Sequence, residues 1–115
     1  MMKPVFISQK QTPIKKIDPG TVVYLHTKGN YTKLYFADKS FWEVRSSLYG
    51  ALKKLPEEMF VRISESTAVS IYYIDSIYRD YLVLVGRADE PRETKTIGTT
   101  YYKALIKYLD VIGKT

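Results

Sequence analysis

Hydrophobic positions along this chain come in short clusters, and several of them alternate. Tyr31 to Phe36 is the clearest case: Thr32, Leu34 and Phe36 fall on one face, and Tyr31, Lys33 and Tyr35 on the other. Successive side chains of a strand point to opposite sides, so this period of two predicts a strand with one greasy face. Ala37-Asp38-Lys39-Ser40 turns the chain, and Phe41 to Arg45 returns it with Trp42 and Val44 facing one way. Ahead of this hairpin, Val22 to His26 is a short run of β-branched and aromatic residues that predicts a buried strand. Asp18-Pro19-Gly20-Thr21 precedes it as a turn, because proline presets φ and glycine accepts positive φ. Val5-Phe6-Ile7 and Ile14 to Ile17 predict two more short strands about a turn at Gln11-Thr12-Pro13.

After the hairpin the period changes. Ser46-Ser47 offers a helix N-cap, and Leu48, Ala51, Leu52 and Leu55 follow at helical spacing until Pro56 stops the turn. Phe60 to Ile63 and Ala68 to Ile71 then read as strands around the polar bend Ser64-Glu65-Ser66-Thr67. Ile74 to Tyr78 and Tyr81 to Val85 are strand-like about the turn residues Arg79-Asp80. Gly86 to Glu93 is a loop, and Thr94 to Ile97 a last strand. Thr99 and Thr100 are placed to cap a final helix with Tyr101, Leu105, Tyr108, Leu109 and Ile112 on its apolar side. The pattern predicts a mostly-β fold of about eight to ten short strands with two short helices.

Composition narrows the picture. A chain of 115 residues is enough for one domain with its own core, and too short for two. There is no cysteine and only one histidine, His26, so disulfides and cysteine- or histidine-rich metal centres are excluded. No cofactor is implied either. No apolar run approaches the roughly 18 residues of a membrane span, and the N-terminus has no signal-peptide core. A cytoplasmic location is expected. Eighteen Lys and Arg against twelve Asp and Glu give a formal charge of +6, which favours polyanionic partners.

Catalytic signatures are absent from the sequence. There is no dinucleotide-binding or phosphate-binding glycine loop, and no nucleophile elbow. The hydroxyls of Ser64, Ser66, Thr67 and Ser70 stand far along the chain from His26, and such groups commonly satisfy backbone in a bent strand. The chain is not expected to be an enzyme. Eleven tyrosines, some beside lysines, could stack unpaired bases, but tyrosine equally suits a half-buried sheet surface.

The order of motifs carries more than any one of them. "VVYL", "GNYTKLYF", "VRSSL", "LPEEMFVRI" and a terminal "IGTTYYKALIKYL" together resemble the LytTR family of bacterial DNA-binding domains, most strongly over residues 22–109. The specific parts are the Gly29-Asn30-Tyr31-Thr32 corner, the Val44-Arg45-x-x-Leu48 approach to the helix, and Leu55-Pro56-x-x-x-Phe60-x-Arg62-Ile63. The resemblance implies an elongated β fold that sets loops, not a recognition helix, into successive major grooves of duplex DNA. It also implies a transcriptional regulator that pairs on DNA repeats. Family members often carry a receiver domain in front, and this sequence shows none.

By that resemblance three loci should meet DNA. The first is Lys28, Asn30, Thr32 and Lys33. The second is Ser64, Glu65 and Ser66 after Arg62. The third is Thr99, Thr100 and Lys103, where amides and a cation can hold phosphates. Arg45 is open to either a structural or a phosphate role. The reading surface departs from the pattern. Where the family usually has Arg-x-His-basic-Ser, this chain has Arg62-Ile63-Ser64-Glu65-Ser66. Ser70 stands for an asparagine, Thr99 and Thr100 for basic residues, and His26 for an acid. The alternative is therefore the same fold with degraded DNA contacts, serving protein–protein regulation.

Overall fold

The computed structural model describes residues 4–8, 13–86 and 93–113. Its strands and helices follow the sequence pattern closely. Strands β1 (Val5–Ile7), β2 (Lys15–Ile17), β3 (Val22–Lys28), β4 (Tyr31–Phe36) and β5 (Phe41–Arg45) lead into helix α1 (Leu48–Lys53). Strands β6 (Phe60–Arg62), β7 (Thr67–Ser70), β8 (Ile74–Ile77), β9 (Tyr81–Leu84) and β10 (Thr94–Thr96) precede helix α2 (Tyr102–Tyr108).

A five-stranded antiparallel sheet in the order β5-β4-β3-β7-β6 is the spine. The strands β8, β9 and β10 form a second sheet, and β1 with β2 a small third one. Alternation gives the spine two apolar faces. On one, Val22, Leu25, Leu34, Phe60 and Ala68 bury against Leu48, Leu55 and Met59 of α1 and the chain after it, with Ile7 from β1. On the other, Tyr24, Val61 and Val69 meet Leu82 and Leu84 of the second sheet, Ile97 just after it and Leu105 of α2. The molecule is longer in one direction, 48 × 33 × 31 Å.

The Ser47 hydroxyl accepts from the Gly50 amide and caps α1, as its place in the sequence predicts. Asp18 does the same for a one-turn helix, Pro19–Thr21, by accepting from the Gly20 amide. Several boundaries differ by a residue or two. The third strand runs on to Lys28, and its His26 is exposed although it shares a face with the buried Tyr24. Ile71 leaves the sheet for a single helical turn, Ile71–Tyr73, capped by Ser70.

The end of the chain differs more. Thr99 and Thr100 do not cap α2; they lie in the turn before it, where the N-cap position is Tyr101 and makes no side-chain cap bond. The turn is held instead by the Tyr101 amide donating to the Gly98 carbonyl at 2.9 Å. Leu105 is buried and Tyr101 and Leu109 pack beside it, but Tyr108 is substantially exposed and Ile112 lies beyond the helix in solvent. A helix of seven residues has only two turns, enough to bury one narrow stripe. Gln11 and Thr12 of the turn expected at Gln11-Thr12-Pro13, and most of the Gly86–Glu93 loop, lie outside the described residues.

Candidate nucleic-acid interface

Antiparallel pairing of Lys28 with Tyr31 leaves Gly29 and Asn30 as a two-residue hairpin turn. Gly29 carries a φ of 61° and a β-carbon there would touch nothing within 4 Å, so the glycine is needed for its backbone and not for space. A positive φ at the first central position is what a II′ turn demands, and it frees Asn30 to keep an ordinary conformation at the exposed tip.

Thr32 sits beneath that tip with 0% of its surface exposed. Its hydroxyl donates to the Ser46 carbonyl at 2.8 Å and accepts from the Thr27 hydroxyl at 2.5 Å. The resemblance put Thr32 among the DNA contacts, but it has no surface to offer. Alternation along β4 is the reason: Thr32 shares the face of the buried Leu34, and register sets it opposite Thr27, so the pair braces the corner from inside.

Near the hairpin tip the opposite face of the same strands is open. Lys28, Tyr31 and Arg45 are aligned across β3, β4 and β5, and His26, Lys33 and Glu43 form the next row. Residues directly opposite one another share a face, so three cations and a histidine gather with a single carboxylate. Lys33 is half-buried, its ammonium 4.7 Å from the centre of the Phe41 ring. Lys28, Arg45 and His26 are exposed. Arg45 thus belongs to the first locus. The alternation of Phe41, Glu43 and Arg45 carried that signal, but only the β4–β5 register attaches it to Lys28.

The second locus is the bend between β6 and β7. The Arg62 guanidinium donates to the Glu65 carbonyl at 2.7 Å, and the Ser64 hydroxyl accepts from the Ser66 amide at 3.3 Å. These bonds shape the bend and leave the Glu65 carboxylate in solvent. Thr67, the next residue, shares a 2.9 Å hydrogen bond with Nδ1 of His26. Ser64 and Ser66 are half-buried. At the third locus Thr99, Thr100 and Lys103 are all exposed.

Backbone hydrogen bonds join these loci. The Thr27 amide donates to the Ser66 carbonyl at 2.8 Å and ties the corner to the bend. The Gly98 amide donates to the Ile63 carbonyl at 2.7 Å and ties the bend to the start of α2. A β-carbon on residue 98 would stand 3.1 Å from the Tyr101 ring, a tight contact. Three segments far apart in sequence therefore form one ridge of polar and basic side chains. Among the described residues no group of acids and histidines could hold a metal ion, and no helix is long and apolar enough to cross a membrane.

Comparison with known proteins shows the fold and the family. No curated protein matches the chain. A solved LytTr DNA-binding domain from Bacillus cereus superposes with a TM-score of 0.72 at 19% identity, covering 94% of this chain and 97% of the other. The family model for the LytTr DNA-binding domain matches residues 13–110. That match spans most of the sequence and takes in all three loci, so the chain belongs to the LytTR family of DNA-binding domains.

Proposed function

We propose that this chain binds duplex DNA sequence-specifically as a transcriptional regulator, with its loops set into successive major grooves. The observation that carries this reading is the ridge held by the Thr27–Ser66 and Gly98–Ile63 bonds. A ridge fixed through its backbone presents side chains in a constant order, which is what reading successive positions along a duplex requires. Lys28, Lys33 and Arg45, with Lys103 at the far locus, anchor phosphates and set the register. Asn30 at the hairpin tip and the hydroxyls of Ser64, Ser66, Thr99 and Thr100 meet base edges. Local bending of the duplex adds preference at positions no side chain touches. Two copies bind neighbouring repeats in the bacterial cytoplasm, and any signal arrives through a separate partner.

Selection of duplexes from a random pool, followed by salt titration of the winner, tests this reading. The expected result is a repeated motif and a log–log salt slope of about −4 to −6, corresponding to about five to seven neutralised phosphates. No enrichment, with flat and weak binding, would overturn it. One observation favours a second reading, a protein-interaction module: the exposed Glu65 carboxylate stands at the centre of the ridge. That module predicts no competition by duplex DNA and no steep salt loss.

A further inference from the structure

The hydrogen bonds that organise the ridge continue past its third locus. The Ile97 amide donates to the Asp80 carbonyl at 2.8 Å, one residue before Gly98 reaches Ile63. The turn between β8 and β9 is thereby held against the segment that leads into α2. That turn is the pair Arg79-Asp80, closed by the Tyr78 amide donating to the Tyr81 carbonyl at 2.8 Å. The rings of Tyr78 and Tyr81 stack across its base with centroids 4.6 Å apart and planes 13° from parallel. A tip closed by a backbone bond and a ring stack has little freedom to swing.

Arg79 projects from this tip towards α2. Its guanidinium carbon is 5.7 Å from the centre of the Tyr102 ring, and Tyr102 is flanked in sequence by the third locus, Thr99, Thr100 and Lys103. Arg79 is exposed, and among the described residues no carboxylate lies within ion-pairing distance of it. A guanidinium beside an aromatic face keeps most of its N–H donors for a second partner, and their fork geometry matches two oxygens of a phosphate.

We propose that Arg79 is a phosphate-binding residue, and that the β8–β9 turn is a fourth contact point of the ridge, outside its third locus. The inference rests on the DNA-binding reading above. Its contribution is register and affinity without base preference, since a phosphate contact carries no sequence information. Along the chain Arg79-Asp80 is an ordinary polar turn with cancelling charges. In the fold the Asp80 carbonyl is engaged by Ile97, and the arginine is carried to the α2 side by its place over Tyr102.

The test uses the full chain, a duplex it has been shown to select, and the variants Arg79→Gln and Arg79→Lys. The expected effect of Arg79→Gln is about a tenfold loss of affinity on every duplex, since a charged hydrogen bond is removed. The salt slope should shrink by about 0.9, the share of one phosphate. Ethylation interference should disappear at one phosphate at the edge of the footprint, the ranking of sequences should hold, and Arg79→Lys should keep the slope. Unchanged affinity and slope in Arg79→Gln, while the parent chain binds normally, would overturn this inference alone. So would equal losses in both variants with an unchanged slope and a lowered unfolding midpoint, because Arg79 would then serve packing on Tyr102. Absence of duplex binding by the parent chain would overturn the DNA-binding reading and this inference with it.

Discussion

The Gly98 amide and the Ile63 carbonyl meet at 2.7 Å, joining the approach to α2 with the end of β6. Ile63 is fully buried and Gly98 has no side chain, so the joint is made of backbone and core. Exposed side chains that make no bond within the ridge, unlike Arg62, can be changed without moving it. Contact roles and structural roles therefore separate cleanly in substitution experiments.

Asn30 and Lys33 should fail in different ways. The positive φ at the hairpin tip belongs to Gly29, so Asn30→Ala should fold normally and relax sequence preference. Lys33→Ala should weaken all duplexes alike and lower the salt slope by about 0.9. Binding of each variant to a panel of single-base operator variants distinguishes them. Equal, sequence-blind losses from both would remove Asn30 as a base reader.

Glu65→Lys should raise affinity for unrelated duplexes and steepen the salt slope. The bend should survive, because Arg62 bonds to the backbone carbonyl of Glu65 and not to its carboxylate. The measurement is a titration of random-sequence duplex at several salt concentrations. No change would place this carboxylate away from the phosphates.

Thr32→Val should destabilise the fold by about 1–3 kcal/mol, the cost of leaving the buried partners of its hydroxyl without it. Those partners are the Ser46 carbonyl and the Thr27 hydroxyl. Thr32→Ser, which keeps the hydroxyl, should recover much of the loss in urea unfolding. Base preference of the folded protein should be unaltered in both, since Thr32 is buried. A stable Thr32→Val with altered base preference would contradict the bracing role.

Alkaline stability should depend on Tyr24. Burial pushes its phenol well above the usual range, and the nearby Glu93 charge and the hydrogen bond to that carboxylate push it the same way. In the unfolded chain the phenol loses its proton near 10.0, its ordinary value. Above that pH the folded chain holds a proton that the unfolded chain has released. The stabilisation is thus complete below pH about 10 and declines as pH rises further. Urea midpoints measured from about pH 9 to 11 should fall less steeply in Tyr24→Phe than in the parent chain. Parallel curves would show that Tyr24 is not the group responsible.

The local elements were legible because each has a local cause. The period of two in Tyr31 to Phe36 survives as burial of Thr32 and Leu34, and the Gly29-Asn30 turn forms where its glycine predicts. Ser47 caps α1 because a hydroxyl before a helical repeat needs only its own neighbours to act. Thr99 and Thr100 carried the same signal and do not cap: they lie in a turn closed by the Tyr101 amide on the Gly98 carbonyl, and the helix starts at Tyr102.

The sequence by itself determined the class of fold, the two helices, the family and the three polar segments, all of which follow from residue order over short windows. Tertiary structure alone decided that these segments make one ridge. Strand register set Arg45 across from Tyr31 in the row of Lys28, and Lys33 across from His26. Backbone bonds from Thr27 to Ser66, Gly98 to Ile63 and Ile97 to Asp80 set the order of the loops and brought Arg79 to its flank. The physical reason is range: propensity and alternation act between neighbours, whereas register and loop-to-strand hydrogen bonds exist only once distant segments have met.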